Sequence, residues 1–255
     1  MVEDNRKEVT PRYRLLDLFS GIIGGFSLGL ERSGGFKTVA FCEIEPFCRK
    51  VLKKHWPEVP QYDDVRTLTA DRLAADGIGV DAICGGFPCQ DVSVAGKRAG
   101  LDGKRSGLWA EFARIIGELR PRYVIVENTP GLLSLGMGRV LGDLAALGLD
   151  AEWHCIPAGA LGAPHERDRV WIVAHTHGEG FQIGQFIPGL AGLEAGSTWR
   201  EGVAVHPWWA VEPDVVRVVR GVPKRVDRIR ALGNSVVPQI PELLGRAILA
   251  AEGVS

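Results

Sequence analysis

Cys89 closes a short apolar run, Asp81 to Gly86, by way of Phe87 and Pro88, and opens a polar, basic, glycine-rich stretch that continues to Gly107. That order describes a thiol carried by a strand into a loop, at the rim where open α/β sheets bind ligands. Pro88 fixes its own φ and stiffens the approach. A free cysteine is among the most buried residue types, so Cys89 taken alone reads as core. The residues after it (Gln90, Asp91, Ser93, Lys97, Arg98, Lys104, Arg105) cannot form a core, and a loop of this length in a compact domain is usually functional. Cys89 is therefore a candidate nucleophile beside an anionic partner. Glu127 ends a second apolar run, Arg122 to Val126, and is followed by Asn128, Thr129 and Pro130. Apolar surroundings would raise the proton affinity of that glutamate and suit it to acid work near neutral pH.

Other polar residues stand at comparable strand ends. Arg14 to Phe19 reads as a first buried strand, followed by Ser20-Gly21-Ile22-Ile23-Gly24-Gly25 as a glycine turn into a helix. The spacing is not the dinucleotide GxGxxG. Lys37 to Cys42 forms a second strand ending at Glu43, one βα unit downstream, where an acid can bind both hydroxyls of a ribose. Gln61 to Val65 sets Asp63 and Asp64 at the end of a third extended piece.

The elements that must position these groups alternate in type. Pro46 opens a helix in which Phe47, Val51, Leu52 and His55 recur as a core-packing face. Ser106 caps a helix with Leu108, Phe112, Ile115, Ile116 and Leu119 as its stripe. Val140, Leu141, Leu144 and Leu147 mark another, closed by Gly148. Ala151 to Pro157 and Arg169 to Ala174 read as two further strands, with Arg167 and Arg169 alternating on one face if their segment is extended. From about His175 to Pro223 the pattern weakens, and an apolar helix through Leu243, Leu244, Ala247 and Ile248 ends the chain.

The 255 residues are 45% hydrophobic and 24% charged, as in an ordinary globular protein of one domain or slightly more. Neither a leader nor a membrane span is visible, and five cysteines without zinc spacing fit reduced thiols in a cytoplasm. His165, His175 and His177 read as structural, and no metal is expected. A net charge of −1 leaves any polyanion to local patches: Lys97, Arg98, Lys104 and Arg105, and Arg217, Arg220, Lys224, Arg225, Arg228 and Arg230.

In this order, LDLFSGIIGGFSLGLE, Glu43, Asp64, GGFPCQDVSVAGKRAG, VIVENTPGLL, APHERDRVWIVA and ALGNSVVPQ resemble the motif series of the DNA (cytosine-5) methyltransferases, of a compact prokaryotic or phage type. The Asp/Asn-Pro-Pro-aromatic signature of amino-methyltransferases is absent. The resemblance implies a Rossmann-like α/β fold with a mostly parallel central sheet and a small irregular recognition lobe. Residues 1–174 with 225–255 would be catalytic, and 175–224 would form the lobe. It implies an S-adenosylmethionine site lined by Phe19, Ser20, Gly21, Gly24, Glu43, Ile44, Asp64, Val65 and Pro88, and closed by Asn234 and Ser235. Cys89 would be the nucleophile, Glu127 the acid, Arg167 the residue orienting Glu127 and the base, and Arg169 a support. Gln90 or Ser93 would enter the space of a flipped base, Lys97 and Arg98 would meet phosphates, and the implied double-stranded DNA would also touch Arg217, Arg220, Lys224, Arg225 and Arg228. The implied protein is a cytoplasmic monomer of a restriction-modification system.

Four features depart from the family's usual pattern: a glycine loop longer by one residue, Thr129 and His165 in place of commoner residues, and a short recognition segment. Two other readings are an RNA cytosine-5 methyltransferase and a catalytically silent DNA-binding relative.

Overall fold

Short buried runs punctuated by glycine and proline assemble into one twisted sheet in the computed structural model, which describes residues 11–88, 107–163, 165–176 and 235–253. The strands are β1 (Tyr13–Leu18), β2 (Phe36–Cys42), β3 (Gln61–Tyr62), β4 (Ala82–Gly85), β5 (Tyr123–Asn128), β6 (Asp150–Cys155) and β7 (Val170–His175). The helices are α1 (Gly25–Arg32), α2 (Pro46–His55), α3 (Ala70–Ala75), α4 (Leu108–Leu119), α5 (Leu132–Leu135), α6 (Met137–Ala146) and α7 (Gln239–Ala251). The strand order is β3-β2-β1-β4-β5-β7-β6. β1 to β5 are parallel, and β7 runs antiparallel to both β5 and β6.

Both faces of the sheet are covered, which is why its central strands are continuous apolar runs. One core gathers Leu16, Leu18, Ile83, Val124, Val126 and Ile172 with Phe112, Ile116, Val140 and Leu144. The other gathers Leu15, Ala82, Ile125, Trp171 and Val173 with Phe26, Leu30, Ile240, Leu244 and Ile248. Burying each such side chain contributes roughly 1.5–3 kcal/mol. α1 and α7 meet closely because two glycines of α1 have no side chain: a Cβ on Gly25 would lie 2.4 Å from the Val236 carbonyl oxygen, and one on Gly29 would lie 2.1 Å from that of Pro238.

Several local expectations change. β1 stops at Leu18, and Phe19 turns out of the strand with φ 54°. On α2 the buried residues are Cys48 and Leu52, while His55 is exposed. A period of 3.6 fits neighbouring stripes of a short helix almost equally, and this helix covers only the edge of the sheet. Gly107 rather than Ser106 is the N-cap of α4, and Trp109 joins its buried face. Leu147 lies past the end of α6 and is 40% exposed. Trp171, at the border of the weakly patterned stretch, is a core residue of β7 packed edge-on against Phe26. From residue 177 the expected lobe lies outside the described residues. No described helix is long and apolar enough to cross a membrane.

Candidate active site

Parallel strands end at a common rim, and register decides which residues meet there. Leu18 pairs with both Cys42 and Gly85, and Gly85 pairs with Val126. Phe19, Glu43, Gly86 and Glu127 therefore each stand one residue beyond an aligned row. β7 is opposed to β5, with Trp171 opposite Glu127 and Val170 opposite Asn128. An antiparallel strand begins where its neighbour ends, so the residues before Val170 arrive at the same rim.

Arg169 accordingly meets Glu127, its Nε 2.7 Å from Oε1, with side chains only 21% and 13% exposed. Burial pushes the Glu127 carboxyl above its ordinary value, against the opposing charges of Arg169 and Arg167. The acid holds its proton more readily than a surface glutamate and is still held in place. Arg167 adopts φ 43°, a left-handed conformation uncommon outside glycine. Its Nη2 donates to the Ser235 carbonyl at 2.7 Å, and burial, then the nearby Arg169, lower its proton affinity. The segment is thus not the extended piece in which the two arginines would alternate. Arg169, expected as a support, grips Glu127 directly, while Arg167 acts on Glu127 through its charge and ties this rim to the far end of the chain.

Two neighbours complete the arrangement around Glu127. A Cβ on Gly86 would sit 2.7 Å from Glu127 Oε2, so the carboxylate occupies room that only glycine leaves. Buried Asn128 donates from Nδ2 to the Phe87 carbonyl at 3.1 Å and accepts from the Thr129 amide at 2.9 Å. The Asn128 side-chain amide thus ties Phe87, two residues before Cys89, to the end of β5. Cys89 itself, Gln90, Ser93, Lys97, Arg98, Arg217, Arg220, Lys224, Arg225, Arg228 and Asn234 lie outside the described residues.

On the other side of the rim the chain turns through Phe19, Gly21 and Gly24, all with positive φ. Phe19 rests near Phe112, with centroids 6.1 Å apart. Glu43 is buried, and its carboxylate accepts the Gly21 amide at 2.8 Å and the Glu45 amide at 2.9 Å. Burial raises its proton affinity, and those two amides oppose the rise. Each carboxylate oxygen can accept a further bond. A Cβ on Gly21 would meet nothing within 4 Å, and adjacent Ile44 is 59% exposed. An acceptor carboxylate, open space over a glycine turn and an apolar plate together fit a nucleoside. Asp64 is engaged by Arg66, with Oδ2 to Nη2 at 2.7 Å, a pairing that keeps its carboxyl below the usual range. Val65 is buried, and its carbonyl accepts from Arg114 at 2.9 Å.

Two surface recesses of about 360 and 390 Å³ lie at the opposite, amino-terminal rim, near Arg120 and Arg122 and near Leu147 and Thr176, away from these groups. Among the described residues no group of three or more His, Cys, Asp or Glu could hold a metal. Sequence reasoning gave no role to Asn128 or to Asp17. The signal for Asp17 was a carboxylate inside an otherwise apolar strand, RLLDLF.

A family model described as C-5 cytosine-specific DNA methylase matches residues 13–190. Type II methyltransferase M2.BsuMI of Bacillus subtilis is 36% identical over 169 residues, 63% of this chain and 41% of its own length. Type II methyltransferase M.AquIA of Picosynechococcus is 30% identical over 67% of this chain and 75% of its own. The match covers 43% of M1.ScrFI of Lactococcus lactis, so the chain spans well under two thirds of most of these relatives. Among solved structures, a DNA modification methyltransferase encoded in an Escherichia coli prophage superposes with a TM-score of 0.58 at 25% identity, over 68% of this chain and 49% of that one. The Dnmt2 methyltransferase of S. pombe, at 20% identity, 66% of this chain, 51% of that chain and a TM-score of 0.55, shares the fold.

Proposed function

Because the chain belongs to the family of C-5 cytosine-specific DNA methylases, whose model it matches over residues 13–190, we propose that it methylates C5 of cytosine in double-stranded DNA, with S-adenosylmethionine as donor. The observation that carries this reading is the buried Glu127, held by Arg169 next to the strand end that leads to Cys89. Cytosine C5 is too poor a nucleophile to take a methyl group until something adds at C6. Cys89, as thiolate, forms the S–C6 bond, while Glu127 donates its proton at N3 and accepts the charge displaced from the ring. When bound, S-adenosylmethionine would supply an electrophilic sulfonium methyl for C5. Glu127 takes the N3 proton back, and loss of the C5 proton to a base such as water restores the C5–C6 double bond and expels Cys89 as thiolate. A free thiol titrates near about 8.5, so cationic neighbours that favour thiolate assist.

Glu43 would take the ribose hydroxyls and Ile44 would cover the adenine, with Ser20, Gly21, Gly24, Val65 and Pro88 around them. Asp64 would serve the adenine only after loosening from Arg66. The target base must leave the duplex, which costs a few kcal/mol of stacking and pairing. Gln90, Ser93, Lys97 and Arg98 would act in that step, with the segment 175–224 and Lys224, Arg225 and Arg228 on DNA. The test is transfer of labelled methyl from S-adenosylmethionine to unmodified duplex DNA, with the product base located by sequencing. Label at cytosine C5 that falls to background in Cys89→Ser, with cofactor binding retained, is expected. Label taken up by transfer RNA and not by duplex DNA would overturn the choice of substrate, and no transfer at all would favour a silent DNA-binding relative.

A further inference from the structure

Asp17 is fully buried on the face of β1 that packs against α1, where an apolar residue would avoid the cost of desolvating a carboxylate. Its side chain meets the helix that follows the glycine turn and also lies against the buried Cys84 thiol of β4. Oδ2 accepts from the Ser27 hydroxyl at 2.7 Å and from the Ser27 amide at 3.3 Å. Ser27 is the third residue of α1, and the helix needs such an acceptor because its N-cap, Gly24, has no side chain. The backbone carbonyl of Asp17 accepts from the Ser20 hydroxyl at 2.7 Å, at the other end of the same turn. The turn is also tied by the Gly21 amide to Glu43, by the Ser20 amide to the Cys42 carbonyl at 3.4 Å and by Phe19 near Phe112. Asp17 thus holds the segment at its helix end by its side chain and at its strand end by its backbone carbonyl, and within the segment Phe19 is the non-glycine residue at positive φ.

We infer that Asp17 is a positioning residue for the cofactor: it caps α1 from the neighbouring strand and so keeps the Phe19–Gly24 turn in the shape that leaves space beside Glu43. This rests on the functional reading above. Across the sheet Asp17 pairs in register with Cys84, whose buried thiol lies against its carboxylate. Asp17→Asn removes the charge and keeps one acceptor oxygen for Ser27.

The test is binding of S-adenosylmethionine by calorimetry together with steady-state methyl transfer, for wild type, Asp17→Ala, Asp17→Asn and Ser27→Ala. Asp17→Ala is expected to raise the cofactor Kd and KM at least tenfold, leaving kcat at saturating cofactor and the KM for DNA within about twofold. Asp17→Asn, which keeps an acceptor for Ser27, is expected to restore Kd to within about threefold. Ser27→Ala removes one bond from a folded protein, so it is expected to raise Kd about threefold with faster amide exchange in the turn, and it keeps the inference testable if Asp17→Ala does not fold. Wild-type affinity in Ser27→Ala, or in a folded Asp17→Ala, would overturn the inference and leave the functional reading standing. A wild type that binds no S-adenosylmethionine would overturn both.

Discussion

Glu127 balances two opposing influences, burial that favours its protonated form and the Arg169 guanidinium that favours its charge. Activity that needs the acid form falls as pH rises through its pKa, and the height of that limb on the pH axis reports the balance. Arg169→Ala removes the opposing charge, so the falling limb of kcat is expected to move to higher pH. Its folding cost should stay below the about 3–5 kcal/mol of a stranded buried charge, because the acid can take a proton instead. Glu127→Gln keeps the shape and loses the proton; kcat is expected to drop about 10²–10⁴-fold, with that limb gone. A pH-rate profile of the three proteins decides both.

Register is the element-scale device. The antiparallel β7 brings its first residues to the rim where the parallel strands end, and Gly86 and Gly29 then show two uses of a missing side chain. On Gly86 a methyl group meets only the end of the Glu127 side chain, whereas on Gly29 it meets the Pro238 backbone. Gly86→Ala is expected to melt within a few degrees of wild type but to lose most methyl transfer, as the carboxylate is displaced. Gly29→Ala is expected to lose about 1–3 kcal/mol of stability, because backbone must move. Urea unfolding beside an activity assay separates the two outcomes.

At the scale of the molecule, α7 is fastened to the sheet at its far rim. Glu252, just past the helix, accepts from Tyr13 Oη and from Tyr123 Oη at 2.7 Å, and pairs with Arg122 at 2.9 Å. Its side chain is 3% exposed. Glu252→Ala leaves two tyrosine hydroxyls and an arginine without that partner, and is expected to cost about 2–4 kcal/mol in urea unfolding. Buried acids set the pH dependence of stability. Asp17, pushed up to about 7 mainly by burial, and also Glu43 and Glu127, are raised, so their contribution is complete below the unfolded values and is lost as pH rises through the folded ones. Asp81, Asp64 and Glu252 are lowered by their partners, and their contribution is lost as pH falls through their folded values. Asp17 passes from about pH 4 unfolded to about 7 folded, so its contribution is lost between those values, and urea unfolding across that window is expected to show a decline with pH that is shallower in Asp17→Asn. A decline of equal slope in that variant would assign it to other groups.

The sequence by itself determined the strands and their polar ends, since apolar runs closed by Glu43, Pro88 and Glu127 follow from local pattern and need no knowledge of neighbours. It also determined the family, through ordered motifs whose residues are adjacent in the chain. What it left open depended on contacts between residues far apart. The Glu127–Arg169 pair spans 42 positions and arises from β7 lying antiparallel beside β5, an order that no local preference encodes. His55 on the exposed side of α2, the Arg167 link to Ser235 and the capping of α1 by Asp17 belong to the same class. In each, burial and pairing are properties of the packed sheet and its helices, so only the tertiary structure decided them.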